Sequence, residues 1–141
     1  MEFSLETRVY LEDSDAQGIV YYVNYLKFME RARTEFLRVL GFDFQQLKQE
    51  QGHFVVHSLD VRYLKPAKVD DCVKVTANII KSARTYVVFD QEVRLVSPKG
   101  GTADEVLCKG QVKVACVSSN SGKPVAIPSE IANAFSQQCN N

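Results

Sequence analysis

Two aspartates and a glycine stand close together just before the longest helical pattern in the sequence. Asp13, Asp15 and Gly18 lie in a segment that ends at Tyr25. A carboxylate at the start of a buried helix can serve as a base or a nucleophile, and the free N–H groups of the first turn can bind an oxyanion. Both aspartates could instead be turn residues, since Asp is common in Asx turns.

A long amphipathic helix is predicted to follow over residues 24–40. Asn24 is the expected N-cap, and Gly41 is the expected left-handed residue after the helix. A short polar helix over 44–51 is predicted next. Charged residues occupy the face opposite the apolar stripe. The stripe consists of Tyr25, Met29, Ala32, Phe36, Leu37 and Leu40.

Most of the remaining chain alternates between apolar and polar residues, which predicts half-buried strands. One strand is expected over residues 5–12, and four more over 58–63, 73–79, 87–95 and 108–114. Turn residues at 97–101 and 120–124 favour antiparallel connections, and Ser129 is expected to cap a last short helix. The predicted fold is a single α+β domain over residues 1–141, in which a long helix is wrapped by a curved antiparallel sheet of about five strands.

The composition narrows the range of functions and compartments. Lys plus Arg equals Asp plus Glu, 17 each, so nothing predicts binding to nucleic acid. No segment has the length or apolarity of a membrane span, and no secretory signal opens the chain, so a cytoplasmic protein without membrane insertion is expected. The four cysteines are widely spaced, which favours reduced thiols. His53 and His57 have no evident third ligand nearby, so neither a metal site nor a cofactor is expected.

Two parts of the sequence carry specific motifs. Residues 8–38 contain a D-x-D-x-x-G block that runs into N-Y and then E-R-A-R, and residues 61–67 read V-R-Y-L-K-P-A. Both parts resemble the 4-hydroxybenzoyl-CoA thioesterase family. Within the family, the sequence is most similar to the Tol–Pal-associated bacterial acyl-CoA thioesterases. The resemblance implies a hotdog fold and a homo-oligomer, either a dimer with sheets paired edge to edge or a homotetramer. It also implies active sites at the dimer interface.

The resemblance assigns roles within the acidic segment. Asp15 is expected to be the catalytic carboxylate, and the backbone N–H of Tyr22 is expected to bind the oxyanion. Aspartate is ionised at neutral pH, so it could attack the thioester directly or deprotonate a water. Gly18 is expected to supply an unusual backbone angle or to allow close approach of the substrate.

Four further residues are expected to bind the substrate. Lys81 and Arg84 occupy a predicted turn where family members contact the phosphates of coenzyme A. His57 and Ser58 are expected to line the pocket of the partner subunit.

The sequence therefore predicts hydrolysis of acyl-CoA thioesters. The alternative is a binding module that docks acyl carrier protein or lipid-synthesis enzymes and hydrolyses weakly. A hotdog hydratase would need a histidine five residues after Asp15, where Val20 stands. There is no G-x-S-x-G motif either, so an α/β-hydrolase is not supported.

Overall fold

The computed structural model describes residues 2–43, 45, 52–96 and 105–139. The strands are β1 (Phe3–Arg8), β2 (Gly52–Tyr63), β3 (Cys72–Ser82), β4 (Tyr86–Val96) and β5 (Glu105–Ser118), and the helices are α1 (Asn24–Val39) and α2 (Ser129–Gln138). The predicted polar helix over 44–51, apart from Gln45, and the predicted turn at 97–101 lie outside these residues. None of the helices in the described ranges is long and apolar enough to cross a membrane.

The strands form one antiparallel sheet in the order β1-β3-β4-β5-β2. The predicted α+β architecture is thereby confirmed. Helix α1 contacts β1, β3 and β4, so it lies across one face of the sheet. We call this the inner face and the opposite one the outer face. Strands β1 and β2 are the two edges, and β2 is twice as long as β1, with 12 residues against 6.

Burial of the apolar stripe of α1 fixes the helix on the inner face. Each fully buried large apolar side chain contributes about 1.5–3 kcal/mol relative to exposure. Gly41 follows the helix with φ +102°, the left-handed conformation predicted for it. The N-cap prediction is wrong, because Val23 occupies that position and Asn24 is the first helical residue. The buried helical residues are Tyr25, Phe28, Met29, Ala32 and Phe36.

The first strand ends earlier than its alternating pattern predicted. β1 stops at Arg8, and residues Leu11–Asp13 form a 3₁₀ turn. The Tyr10 N–H donates to the Asp13 carboxylate at 2.9 Å, which stabilises this turn. Leu11, an apolar residue of the strand predicted over 5–12, is 77% exposed.

The exposed edge strand β2 is the main departure from the predicted core. Leu59 and Tyr63 lie opposite the buried residues Val112 and Cys108, so they continue the inner face. Their side chains are nevertheless 47% and 45% exposed, because α1 reaches this edge at Tyr25 but does not cover it. The alternating pattern correctly predicted that these side chains lie on the inner face of the sheet. It did not predict that this part of the inner face is exposed.

All four cysteines are free thiols, as their spacing suggested. Cys108 and Cys116 are buried in the core. Burial raises the pKa of Cys108 to about 12, so this side chain remains protonated and packs as a small apolar group.

A buried glutamine links α1 to the sheet. Gln91 of β4 is fully buried, and its Nε2 donates to the carbonyl oxygens of Met29 at 3.0 Å and Thr76 at 3.1 Å. Its Oε1 accepts a hydrogen bond from Arg33 Nη1 at 2.9 Å, and burial lowers the pKa of Arg33. One amide on β4 therefore makes three hydrogen bonds to buried groups of α1 and β3.

Replacing this glutamine by an apolar residue of similar volume should still destabilise the protein. We expect Gln91→Met to lower the free energy of unfolding by about 2–3 kcal/mol, because it removes three hydrogen bonds made to buried groups of the helix and the sheet. Gln137→Met, at an exposed position of α2, should change it by less than about 0.5 kcal/mol. Urea denaturation measures both, and a loss below about 1 kcal/mol for Gln91→Met would contradict the linking role.

Candidate active site

The acidic segment folds into a small hairpin against the start of α1. The Asp15 N–H donates to the Ile19 carbonyl at 2.8 Å, and the Tyr21 N–H donates to the Asp13 carbonyl at 3.0 Å. Gly18 closes the turn with φ +80°, a conformation that costs other L-residues steric strain. The unusual backbone angle predicted for Gly18 is therefore present. The hairpin places Asp15 near its tip and Tyr22 one residue beyond its base.

Asp13 serves the local structure. One of its carboxylate oxygens accepts from the Tyr10 N–H at 2.9 Å. Its carbonyl oxygen accepts from the Asn24 side-chain amide at 2.8 Å, in addition to the Tyr21 N–H. These bonds join the acidic loop to the first residue of α1. The Asn24 side chain therefore links the helix to the loop and does not cap the helix.

Asp15 combines a turn conformation with an accessible carboxylate. Its Oδ1 accepts from the Gln17 N–H at 2.8 Å, which is the Asx-turn geometry that its sequence context allowed. The residue is exposed, and its Oδ2 has no hydrogen bond within residues 2–43, 45, 52–96 and 105–139. The turn thus fixes the carboxylate while one oxygen stays accessible to a substrate or a water.

The start of α1 leaves a backbone donor without an acceptor. Asn24, Tyr25 and Leu26 each donate to the carbonyl three residues earlier, at 2.8, 3.3 and 3.0 Å. The N–H of Tyr22 precedes this series, and it has no acceptor in the described part of the chain. Free N–H groups and the helix dipole together favour negative charge at this position.

A second loop, residues 64–71, supports the hairpin. Ala67 makes two bonds to the site: its carbonyl accepts from the Val20 N–H at 2.9 Å, and its N–H donates to the Tyr25 hydroxyl at 2.9 Å. The Gly18 carbonyl accepts from the Val69 N–H at 3.1 Å. The hairpin, the second loop and the first turn of α1 therefore hold each other in place.

An aromatic cavity lies between these elements. Its volume is about 300 Å³. The Tyr63 ring meets that of Tyr22 at 5.8 Å with an interplanar angle of 89°, and that of Tyr25 at 5.7 Å. Burial raises the pKa of Tyr25 and of Tyr63, so both hydroxyls are protonated at neutral pH. The lining residues are Ile19, Val20, Tyr22, Tyr25, Tyr63, Leu64, Lys65 and Pro66.

Lys81 and Arg84 lie at the far end of the sheet, outside this cavity. Lys81 is near the end of β3, and Arg84 lies in the turn before β4, as predicted. Lys81 hydrogen-bonds the Tyr86 hydroxyl, which lowers the pKa of Tyr86. The ammonium of Lys113 lies 4.1 Å from the centroid of the Tyr86 ring. No sequence pattern groups Lys113 with this turn, because only the pairing of β4 with β5 brings it there.

His57 and Ser58 lie at the exposed edge of the sheet. The register of β2 shifts between Val56 and Ser58, so His57 is the bulged residue. His57 Nδ1 is 3.2 Å from Ser58 Oγ. Neither residue lines the aromatic cavity of its own chain, so their predicted role depends on a partner subunit.

A second depression, of about 370 Å³, lies on the outer face and is polar. Asp60, Asp90, Glu92 and Lys109 are among its lining residues. Burial raises the pKa of Asp90, and the neighbouring Glu92 adds to the effect. This charged surface is poorly suited to an acyl group, whereas the aromatic cavity beside Tyr22 is suited to one.

The comparisons with known proteins identify the class of protein. The chain belongs to the Thioesterase-like superfamily, whose profile matches residues 9–135. The resemblance inferred from the acidic motif is thereby confirmed. A long helix on a five-stranded antiparallel sheet is the hotdog architecture.

Individual relatives cover nearly the whole chain. The acyl-CoA thioesterase YbgC of Haemophilus influenzae is 42% identical over 134 residues, 94% of this chain and 93% of the relative. The acyl-CoA thioester hydrolase YbgC of Escherichia coli O6:H1 is 39% identical over 135 residues, 96% of each chain. The structure of a 1,4-dihydroxy-2-naphthoyl-CoA thioesterase from Synechocystis superposes with a TM-score of 0.85 at 20% identity, covering 96% of each chain, and supports the fold alone.

Proposed function

We propose that this protein is an enzyme that hydrolyses acyl-CoA thioesters to the free acid and coenzyme A. The observation that carries the proposal is the unpaired N–H of Tyr22, a residue that lines the apolar cavity, with the accessible carboxylate of Asp15 in the hairpin just before it. The two YbgC relatives, named for this activity and 42% and 39% identical, support it.

The chemistry follows from these two groups. The thioester carbonyl binds with its oxygen on the Tyr22 N–H, and one such donor is worth about 3–4 kcal/mol of barrier. Asp15 accepts a proton from a water, whose hydroxyl adds to the carbonyl carbon. The C–S bond then breaks, and the thiolate of coenzyme A leaves and takes up a proton. Direct attack by Asp15, through an anhydride that water then hydrolyses, uses the same two groups.

Replacement of the carboxylate tests this assignment. We expect Asp15→Asn to lower kcat by about 10²–10⁴-fold, because the amide neither accepts a proton nor attacks the carbonyl. Its oxygen can still accept from the Gln17 N–H, so the free energy of unfolding should stay nearly unchanged. A thiol-release assay over short-chain, long-chain and aromatic acyl-CoAs measures the effect.

The neighbouring aspartate provides the matched control. Asp13→Asn should retain most of the activity, because an amide oxygen can still accept from the Tyr10 N–H. Substantial activity in folded Asp15→Asn would rule out the catalytic role. No turnover of any acyl-CoA by the wild type would favour the binding module that docks acyl carrier protein.

The basic cluster at the β3–β4 turn is proposed to bind the phosphates of coenzyme A. Lys81 and Lys113 flank the Tyr86 ring at 5.4 and 4.1 Å from its centroid, and Arg84 is exposed in the adjacent turn. Three cations on one end of the sheet suit a polyanionic carrier, and their attraction is screened by salt.

Removing one cation should weaken binding of the carrier without slowing the chemistry. We expect Arg84→Ala to raise KM for acyl-CoA several-fold and to leave kcat nearly unchanged, since the bond being broken is unaffected. For the same acyl group on N-acetylcysteamine, which lacks the phosphates, Arg84→Ala and the wild type should have the same KM. An unchanged KM for acyl-CoA would remove Arg84 from the site.

A homodimer through β2 is proposed from the exposed edge of the sheet. Long edge strands with apolar side chains tend to pair with another chain. β2 has 12 residues, and its exposed large apolar side chains include Val55, Val56, Leu59 and Tyr63. Pairing of β2 with the same strand of a second copy would cover them and bring His57 and Ser58 to the partner's side of the interface. Assembly of dimers into a homotetramer, and a cytoplasmic location, stay predictions.

A charge on this edge should dissociate the dimer. We expect Leu59→Lys to sediment as a monomer, because a lysine at the centre of the interface would be desolvated. Val39→Lys, at an exposed position near the end of α1 and away from β2, should keep the mass of the wild type. Analytical ultracentrifugation separates these outcomes, and a monomeric wild type would contradict the proposal.

A further inference from the structure

Asn24 makes two hydrogen bonds that reach both halves of the proposed catalytic pair. Its backbone N–H donates to the Tyr21 carbonyl at 2.8 Å. Its side-chain Nδ2 donates to the Asp13 carbonyl, also at 2.8 Å. Tyr21 immediately precedes Tyr22, the proposed oxyanion donor, and Asp13 lies two residues before Asp15, the proposed catalytic carboxylate.

The backbone bond of Asn24 sets the direction of the oxyanion donor. The Tyr21 carbonyl and the Tyr22 N–H belong to one peptide unit, which is trans. In a planar trans unit the C=O and N–H bonds point in opposite directions. Because the carbonyl points toward the Asn24 N–H at the start of α1, the Tyr22 N–H points away from it and stays free for a substrate oxygen.

The side-chain bond of Asn24 joins this peptide unit to the acidic loop. The Asp13 carbonyl accepts from the Asn24 amide and from the Tyr21 N–H, at 2.8 and 3.0 Å. The segment that leads into Asp15 and the unit that carries the Tyr22 N–H therefore meet at one carbonyl oxygen. A shift of either segment would break a bond to that oxygen.

The residue type at position 24 suits this link better than it suits the helix. Asparagine is less favourable than alanine in a helix, because its side chain competes for backbone groups outside the helical ladder. The Asn24 side chain donates to the loop carbonyl from a partly buried position at the first residue of α1. Its amide therefore serves the junction with the acidic loop.

We propose that Asn24 is a positioning residue for the thioesterase reaction. It holds the Asp15 carboxylate and the Tyr22 N–H at the separation that the reacting thioester requires, and it acts through Asp13 and Tyr21 without touching the reacting atoms. The inference rests on the proposed function. A misplacement of about 1 Å in a reacting group can lower a rate about 100-fold, so the loss of one hydrogen bond at this junction should be visible in kcat.

Removal of the amide tests the inference. We expect Asn24→Ala to lower kcat by about 10–100-fold and to leave KM within about 2-fold of the wild type, because the cavity is intact and only the alignment of the two groups is lost. Calorimetry with an acyl-CoA analogue that carries a methylene between the carbonyl carbon and the sulfur should give an unchanged Kd.

A second variant keeps the size of the side chain. In Asn24→Asp the carboxylate is favourable in the first turn of a helix, but it cannot donate to the Asp13 carbonyl. We expect the same loss of kcat in this variant, which also carries the test if Asn24→Ala does not fold.

Ser14→Ala is the matched control. The Ser14 hydroxyl donates to the Leu11 carbonyl at 2.7 Å, so this variant also removes a side-chain-to-carbonyl bond from the acidic loop. That bond does not reach the peptide unit between Tyr21 and Tyr22. We therefore expect kcat to stay within about 2-fold of the wild type.

The outcomes separate this inference from the proposed function. A folded Asn24 variant with kcat within about 2-fold of the wild type overturns the positioning role and leaves the thioesterase function standing. An equal loss of kcat in Ser14→Ala also overturns it, since general loosening of the loop would then explain both losses. So does a raised KM at unchanged kcat. Absence of hydrolysis of every acyl-CoA by the wild type removes the proposed function and this inference with it.

Discussion

The burial of one helical stripe on the inner face of the sheet determines where everything else lies. Because Tyr25, Phe28 and Met29 are buried against the sheet, the start of α1 is fixed in the core instead of in solvent. Tyr22, just before this helix start, lines a partly enclosed cavity, where a hydrogen bond to a developing charge is stronger than in water. Gln91 adds a polar link that fixes the middle of the helix to β3 and β4.

Backbone hydrogen bonds turn this fixed helix start into a site. Ala67 is central, since it bonds Val20 through its carbonyl and Tyr25 through its N–H. The acidic hairpin is thereby held between the 64–71 loop and the start of α1, which is itself buried against the sheet. Gly18 adopts its positive φ without steric strain because it has no side chain, whereas Asp70 of the second loop has a positive φ of 77° as a non-glycine residue. An accessible carboxylate and a free N–H can then keep a constant separation, which positioning of a reacting thioester requires.

The parts of the structure that depend on local sequence could be predicted, and those that depend on long-range register could not. Helical spacing located α1, and turn chemistry located Gly18 and Gly41. The end of β1 was missed because the Tyr10–Asp13 contact overrides a pattern of alternation. Lys113 was missed because only the pairing of β4 with β5 brings it beside the β3–β4 turn. What packs against the apolar side chains of β2 could not be inferred from the sequence of one chain. An alternating pattern predicts the face of the sheet on which a side chain lies, but not the surface that packs against it.

The most direct measurement is a crystal structure of the protein with an unreactive acyl-CoA, in which a methylene separates the carbonyl carbon from the sulfur. We expect a carbonyl oxygen about 3 Å from the Tyr22 nitrogen, an acyl group in the aromatic cavity and the Asp15 carboxylate directed toward the carbonyl carbon. An analogue bound with its carbonyl elsewhere, for example in the charged depression of the outer face, would contradict it.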